Sequence, residues 1–248
     1  MGSKICALAR SIAKHVQVKW TLQLLPLLIV LNHVQEAIQS SLQLRLEAGS
    51  MARIINSGAL IGALYVVFDV CLILVGAGLI LSRSKQRTAV PFLMLHRTLR
   101  CIFIANFALE DALSYSVDIG SLLLLWASRR NQEAKLNKRK WDILLFLSRI
   151  CMSFNYLSLC RAKNVISGWF SLICCICMLI GFNCRLVACL TALAVMWQAC
   201  CLVNWSFIFG WNDLTISVSL ICSLFGKVAG FLLMARLGAG KWSLDARA

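Results

Sequence analysis

Ionisable side chains embedded in long apolar runs are the residues of this chain best placed to do chemistry. Asp69 lies in Val66-Val67-Phe68-Asp69-Val70 and Arg149 in Phe146-Leu147-Ser148-Arg149-Ile150. Glu36 lies towards the end of an apolar run that begins at residue 20, and Asp118 towards the start of one that begins at residue 112. A charge at the centre of a bilayer costs at least about 2.5–3.5 kcal/mol, so such groups turn inward and take partners. Asp69 with Arg149, and Glu36 with Arg97 or Arg100, are the pairs expected. Two roles stay open for them: the polar interior of a pocket or ion path, or ion pairs that lock neighbouring helices. Asn32, His33 and Gln35 make the stretch before Glu36 unusually polar, so a cleft is expected to open there.

Other constellations carry less. Cys174-Cys175-Ile176-Cys177 has no His or acid beside it, and thiols in an apolar run act as small hydrophobes that let helices approach. His33 and His96 are isolated, and His33 reads as a hydrogen-bonded packing residue rather than a metal ligand. No phosphate-binding GxxxxGK, no GxGxxG, no HExxH and no GxSxG occurs. The expectation is a protein that is not an enzyme, with no catalytic residues, no metal and no cofactor.

The elements that position these groups follow from composition. Of the 248 residues 60% are hydrophobic and 14% charged, and mean hydropathy is +0.80, too apolar to clothe a water-soluble surface. The formal net charge of +15 would suggest nucleic acid on a soluble domain. Here the basic residues stand between apolar runs, where they suit anionic lipid head groups, and no nucleic-acid partner is expected.

The fold class expected is all-α: a polytopic integral membrane helical bundle of about eight transmembrane helices. The spans fall at 20–41, 54–81, 91–109, 112–128, 142–160, 165–181, 186–205 and 214–236. The fourth is short, Pro26 is expected to kink the first, and Pro91 to open the third. Residues 1–19 form a basic cytosolic segment, 20–236 a single transmembrane bundle and 237–248 a short cytosolic tail. Lys4, Arg10, Lys14 and Lys19 without an acid would also suit an organellar presequence, and an amphipathic lead-in to the first span is the preferred reading.

Charge assigns the sides. With a cytosolic N-terminus, the cytosolic loops hold Arg83, Lys85 and Arg87, then Arg129, Arg130, Lys135, Lys138, Arg139 and Lys140, and later Arg185. The far loops hold only Arg45, Arg53, Arg161 and Lys163, together with Glu47, Glu110, Asp111 and Asp213. This asymmetry is that of an even number of crossings with both termini cytosolic. A seven-span count would move one tail across and spoil it. Trp169, Trp197, Trp205 and Trp211 sit near span ends, as interfacial anchors do. The far loops are short, so any site is built from helices and tight turns.

Several motifs in order then carry a resemblance. Leu81-Ser82-Arg83 closes the second span; Gly120 precedes Leu122–Leu125 and Ala127-Ser128-Arg129; Gly181-Phe182 precedes Arg185. The tail reads Leu237-Gly238-Ala239-Gly240-Lys241-Trp242-Ser243-Leu244-Asp245. Over roughly residues 15–245 the chain resembles the surfeit locus protein four family, the Erv-type cargo receptors of the endoplasmic reticulum. The resemblance implies a receptor that cycles between endoplasmic reticulum and Golgi, binds soluble secretory cargo in the lumen and engages vesicle coat components from the cytosol. It places the cargo site at the polar lumenal end around Glu36, where Gln35-Glu36 stands in place of two acids, and gives the tail glycines a turn to shape. Ala239 stands where the family favours Pro, and Asp245-Ala246-Arg247-Ala248 lacks the Lys-rich retrieval signal.

Three functions follow from these readings. The first is a non-enzymatic cargo receptor of the early secretory pathway, in which Glu36, Asp69, Asp118 and Arg149 shape the polar interior. The second is a lipid-embedded accessory subunit of an organellar membrane complex, such as a respiratory complex of the mitochondrial inner membrane. The third is a small-molecule or lipid transporter that uses the same buried charges as a path.

Overall fold

A computed structural model describes residues 19–82, 86–105, 109–132, 138–160, 165–202, 211–238 and 240–246. The basic segment at 1–18, the loop arginines and lysines at 83–85, 135, 161 and 163, and Trp205 lie outside these residues. Among the described residues the structure is all-α. Its helices are α1 (Lys19–Leu42), α2 (Leu44–Ile54), α3 (Ala59–Leu81), α4 (Gln86–Ala105), α5 (Leu109–Gln132), α6 (Lys138–Cys160), α7 (Val165–Ile180), α8 (Cys184–Leu202) and α9 (Trp211–Leu237). A short 3-10 turn, Leu244–Ala246, follows.

Each helix turns one stripe inward. In α3 the buried residues are Gly62, Val66, Asp69, Ile73, Gly76, Ala77 and Ile80, spaced at three and four as one helical face requires. The other face is just as apolar: Leu60, Leu64, Phe68, Leu74 and Val75 are exposed. Charged Arg97 and Arg149 are among the most buried side chains of the molecule. An apolar exterior around a charged interior reverses the order of a water-soluble bundle. On length and composition, two described stretches suffice to cross a membrane, Ala59–Leu81 and Ser217–Leu237. Shorter apolar stretches are Leu113–Ser128, Trp169–Ile180 and Cys184–Gln198.

Sequential neighbours pack together from α2 to α7, and α8 packs on α9. Helix α9 returns to lie against α1 and α5, so the two halves of the chain close around it. Its buried face, Leu224, Val228, Phe231 and Ala235, joins Ile29 of α1 and Leu122 and Leu125 of α5 in one core.

The structure corrects the sequence reading at two places. The stretch 42–53, expected as a loop, carries the amphipathic helix α2, Leu44–Ile54, which buries Ala48, Met51 and Ala52, and the helix of the second span begins at Ala59 rather than at 54. Helix α2 seats against α3 where Gly62 has no side chain; a Cβ there would lie 2.9 Å from the Ala52 nitrogen. Pro91 does not open a helix: α4 starts at Gln86, so the proline sits within it and the Arg87 carbonyl loses its usual partner. The fourth span is short as expected, an apolar stretch at Leu113–Ser128, although the helix that carries it, α5, runs for 24 residues.

Candidate ligand-binding cavity

The helical period delivers polar groups of five helices to one end of the bundle. On α1 the inward stripe begins with Leu25 and Ile29 and continues with Asn32, His33, Glu36 and Ser40. On α4 it begins with Ala89, Val90 and Leu93 and continues with His96, Arg97 and Arg100. Each stripe is apolar in its first half and polar in its second. Helix α5 adds Tyr115 and Asp118 from its N-terminal half, α3 adds Asp69, and α2 adds Glu47.

Two guanidinium groups organise the cluster. Arg97 pairs with Glu36, and with Asp118 at 3.3 Å, and its charge lies 5.2 Å from the Tyr115 ring centre. Arg100 pairs with Glu36, with Glu47 at 3.3 Å and with Asp69 at 3.6 Å. His96 contacts Asp69 on its other side. Asn32 donates to Asp118 at 3.3 Å, and Ser40 donates to Glu47 at 3.0 Å. Arg97 also donates to Nδ1 of His33, from Nε at 3.2 Å and from Nη2 at 2.8 Å. A guanidinium has no acceptor, so His33 Nδ1 is unprotonated. Desolvating so many charges is tolerable only because each faces an opposite charge or a hydrogen-bonding group.

Above the cluster opens a cavity of about 360 Å³. Its walls combine the acids Glu36, Glu47 and Asp118 with Arg97, Arg100 and neutral donors and acceptors such as Gln39 and Ser219. Ser219 of α9 donates to Gln39 of α1 at 3.0 Å, so α9 is tied in as well. The groups are suited to reversible recognition: carboxylates and guanidiniums held in fixed positions against one another and against neutral donors and acceptors.

The structure therefore brings Glu36, Asp69 and Asp118 together and leaves Arg149 elsewhere. The expected pairing of Asp69 with Arg149 is overturned; Asp69 takes His96 and Arg100 instead. Pairing of Glu36 resolves onto both arginines of α4. Sequence reasoning missed Glu47 and His96 as members. Glu47 stands in a stretch that reads as a loop, and His96 stands alone in the sequence, 27 residues from its partner Asp69. The spacing of His96, Arg97 and Arg100 on one side of a helix is the signal that was present.

Arg149 marks a second polar cluster where the chain's last residues fold back. It is fully buried, donates from Nη2 to the Trp242 carbonyl at 2.7 Å and lies 5.4 Å from the Phe146 ring centre. Asp142, two turns earlier on α6, accepts from the Lys241 amide at 3.1 Å. Asp245 accepts from the amides of Asn183 and Cys184 at 2.6 and 2.9 Å, capping α8. Gly238 and Gly240 adopt φ of 78° and 74°, the left-handed conformation that lets the chain reverse after α9. The tail glycines thus shape a turn, and the tail is packed on the bundle.

A helical bundle with an apolar exterior and a charged interior is of the membrane-protein class. Comparison with protein families gives the particular one: the chain belongs to the SURF4 family, whose model matches residues 3–248. No curated protein and no solved structure matches it.

Proposed function

We propose that this protein is a membrane cargo receptor of the early secretory pathway, a multi-pass protein of endoplasmic reticulum and Golgi membranes. In this reading α1 and α3–α9 make eight crossings with the N- and C-terminal ends cytosolic. Basic residues then crowd one side, as the positive-inside rule requires. The cavity lies at the opposite end, on the lumenal side. Soluble secretory cargo binds there, and coat components are engaged from the cytosol. The protein is no enzyme: cargo is held and released by differential binding, and no bond is made or broken.

The observation that carries this reading is the cavity at the polar ends of α1, α4 and α5, walled by Glu36, Glu47, Asp118, Arg97 and Arg100. Family membership supports it, and so does the wall chemistry, which favours binding over catalysis. The test is export kinetics of secretory proteins in cells that carry only Glu36→Gln. The expected result is slowed export of a subset of clients with unchanged receptor abundance. Unchanged kinetics would remove Glu36 from the site. A mitochondrial distribution with stoichiometric partners would overturn the receptor itself.

A further inference from the structure

We propose that the folded-back C-terminal segment and the α7–α8 turn form a platform for the head groups of anionic phospholipids in the cytosolic leaflet. The inference rests on the membrane-crossing reading and adds a ligand and a surface to it.

The platform is built, not merely basic. Residues 240–246 bridge two elements: Lys241 is held to Asp142 of α6, Trp242 to Arg149 of α6, and Asp245 to the first amides of α8. A further bond, from the Asp245 amide to the Gly181 carbonyl at 3.2 Å, closes the segment onto the α7–α8 turn. Trp242 stacks edge-on against Phe146 with ring centres 5.5 Å apart. Both acids of the platform, Asp142 and Asp245, are thereby committed to main-chain amides. The basic side chains beside them, Lys140, Arg185 and Lys241, are exposed. Arg185 runs along Gly238, where a Cβ would lie 3.3 Å from its Nε, so it belongs to the same face.

Depth identifies the occupant. Helix α7 exposes an apolar stripe, Trp169, Ile173, Ile176 and Ile180, which continues past the helix end into exposed Phe182. Trp242 and Leu244 of the tail are exposed as well. Exposed apolar side chains thus stand close in the chain to exposed cations, Phe182 to Arg185 and Trp242 to Lys241, as they do where acyl chains give way to head groups. There the aromatic rings fit the interface, and the ammonium and guanidinium groups meet phosphate and carboxylate. An acidic peptide would satisfy the charges and leave the exposed Phe182, Trp242 and Leu244 beside them unexplained.

The test uses the full-length protein reconstituted into vesicles of phosphatidylcholine alone or with one fifth phosphatidylserine. Binding of dansyl-phosphatidylserine is read by energy transfer from tryptophan. The charge-reversed variant Lys140→Glu/Arg185→Glu/Lys241→Glu changes exposed side chains only. A control variant, Arg45→Glu/Arg53→Glu, reverses exposed charges of α2 at the other end. The platform variant is expected to lose preference for the anionic lipid by about tenfold or more, and the control to keep it. Equal loss in both variants, or loss in neither, overturns the platform. An acidic peptide that displaces the probe from the wild type but not from the platform variant overturns the assignment to lipid. Failure of the wild type to float with phosphatidylcholine vesicles would instead strike at the membrane-crossing reading.

Discussion

Arg97 of α4 donates to Nδ1 of His33 on α1 at 2.8 Å, which makes a neutral imidazole the neighbour of a doubly paired guanidinium. The same guanidinium faces Glu36 and Asp118, so one side chain joins α1, α4 and α5. Among the described residues its remaining nitrogen, Nη1, is buried without a hydrogen-bond partner. Thus the cluster is held by charge on one side and by a neutral acceptor on the other.

A first prediction concerns that acceptor. His33→Gln keeps an acceptor within reach of Arg97, whereas His33→Leu strands the donor. A buried donor left without its partner costs about 1–3 kcal/mol. The leucine variant should therefore melt several degrees lower in mild detergent and the glutamine variant close to wild type. Equal melting of the two would mean that His33 is only a space-filling residue.

Arg97 itself should be far less replaceable. Arg97→Ala leaves Glu36 with Arg100 alone and takes from Asp118 its salt-bridge partner, so that of the cations acting on Asp118 only Lys227 remains. Breaking a buried pair in this way costs about 3–5 kcal/mol. The expected outcome is a steep fall in recovered folded protein, measured by size-exclusion yield. The double variant Arg97→Met/Asp118→Leu should recover part of it, because the orphaned acid is removed as well.

Much of this architecture is legible in the sequence, and the reasons are physical. Long apolar runs announce helices because little else can bury such segments, and the helix boundaries observed lie within a few residues of most expected spans. Charges inside those runs announce an interior cluster, and Glu36 with Arg97 and Arg100 follows from the cost of burying them alone. Partner choice is another matter. Asp69 and Arg149 are each mid-run, yet Arg149 lies beside the α7–α8 turn and Asp69 beside α4. Opposite sign does not reveal which ends of which helices meet. Helix α2 escaped notice for a related reason: its apolar stripe of Ala48, Met51 and Ala52 is short and is punctuated by Arg45, Glu47, Gly49 and Arg53, so it reads as a polar loop. Its burial depends on Gly62 across the way.

That contact supplies a third prediction. Gly62→Val places a branched side chain between α2 and α3, where the Ala52 nitrogen lies 2.9 Å from an added Cβ. Overpacking of this kind costs about 1–3 kcal/mol, and α2 can relieve it by moving outward. Because α2 carries Glu47 to Arg100, the cavity should lose that wall. Hydrogen exchange over residues 44–54 should rise while exchange over α9 stays as it was.

The tail offers the last and sharpest separation of local from global effects. Among the described residues Arg149 is buried with Nε and Nη1 unbonded, while its Nη2 donates to the Trp242 carbonyl. Replacing a buried cation that lacks a carboxylate by an apolar residue of similar size removes a desolvation burden. Arg149→Leu should therefore leave the melting temperature of the bundle unchanged or raised. The same variant frees the tail, so trypsin should cut after Lys241 more quickly than in the wild type. Asp245→Ala should also free the tail, but by uncapping α8, at a cost of about 1 kcal/mol, and so with a lowered melting temperature. Opposite shifts in stability with the same gain in cleavage would assign Arg149 to holding the tail and Asp245 to both tasks. A lowered melting temperature in Arg149→Leu would instead make the guanidinium a structural member of the core.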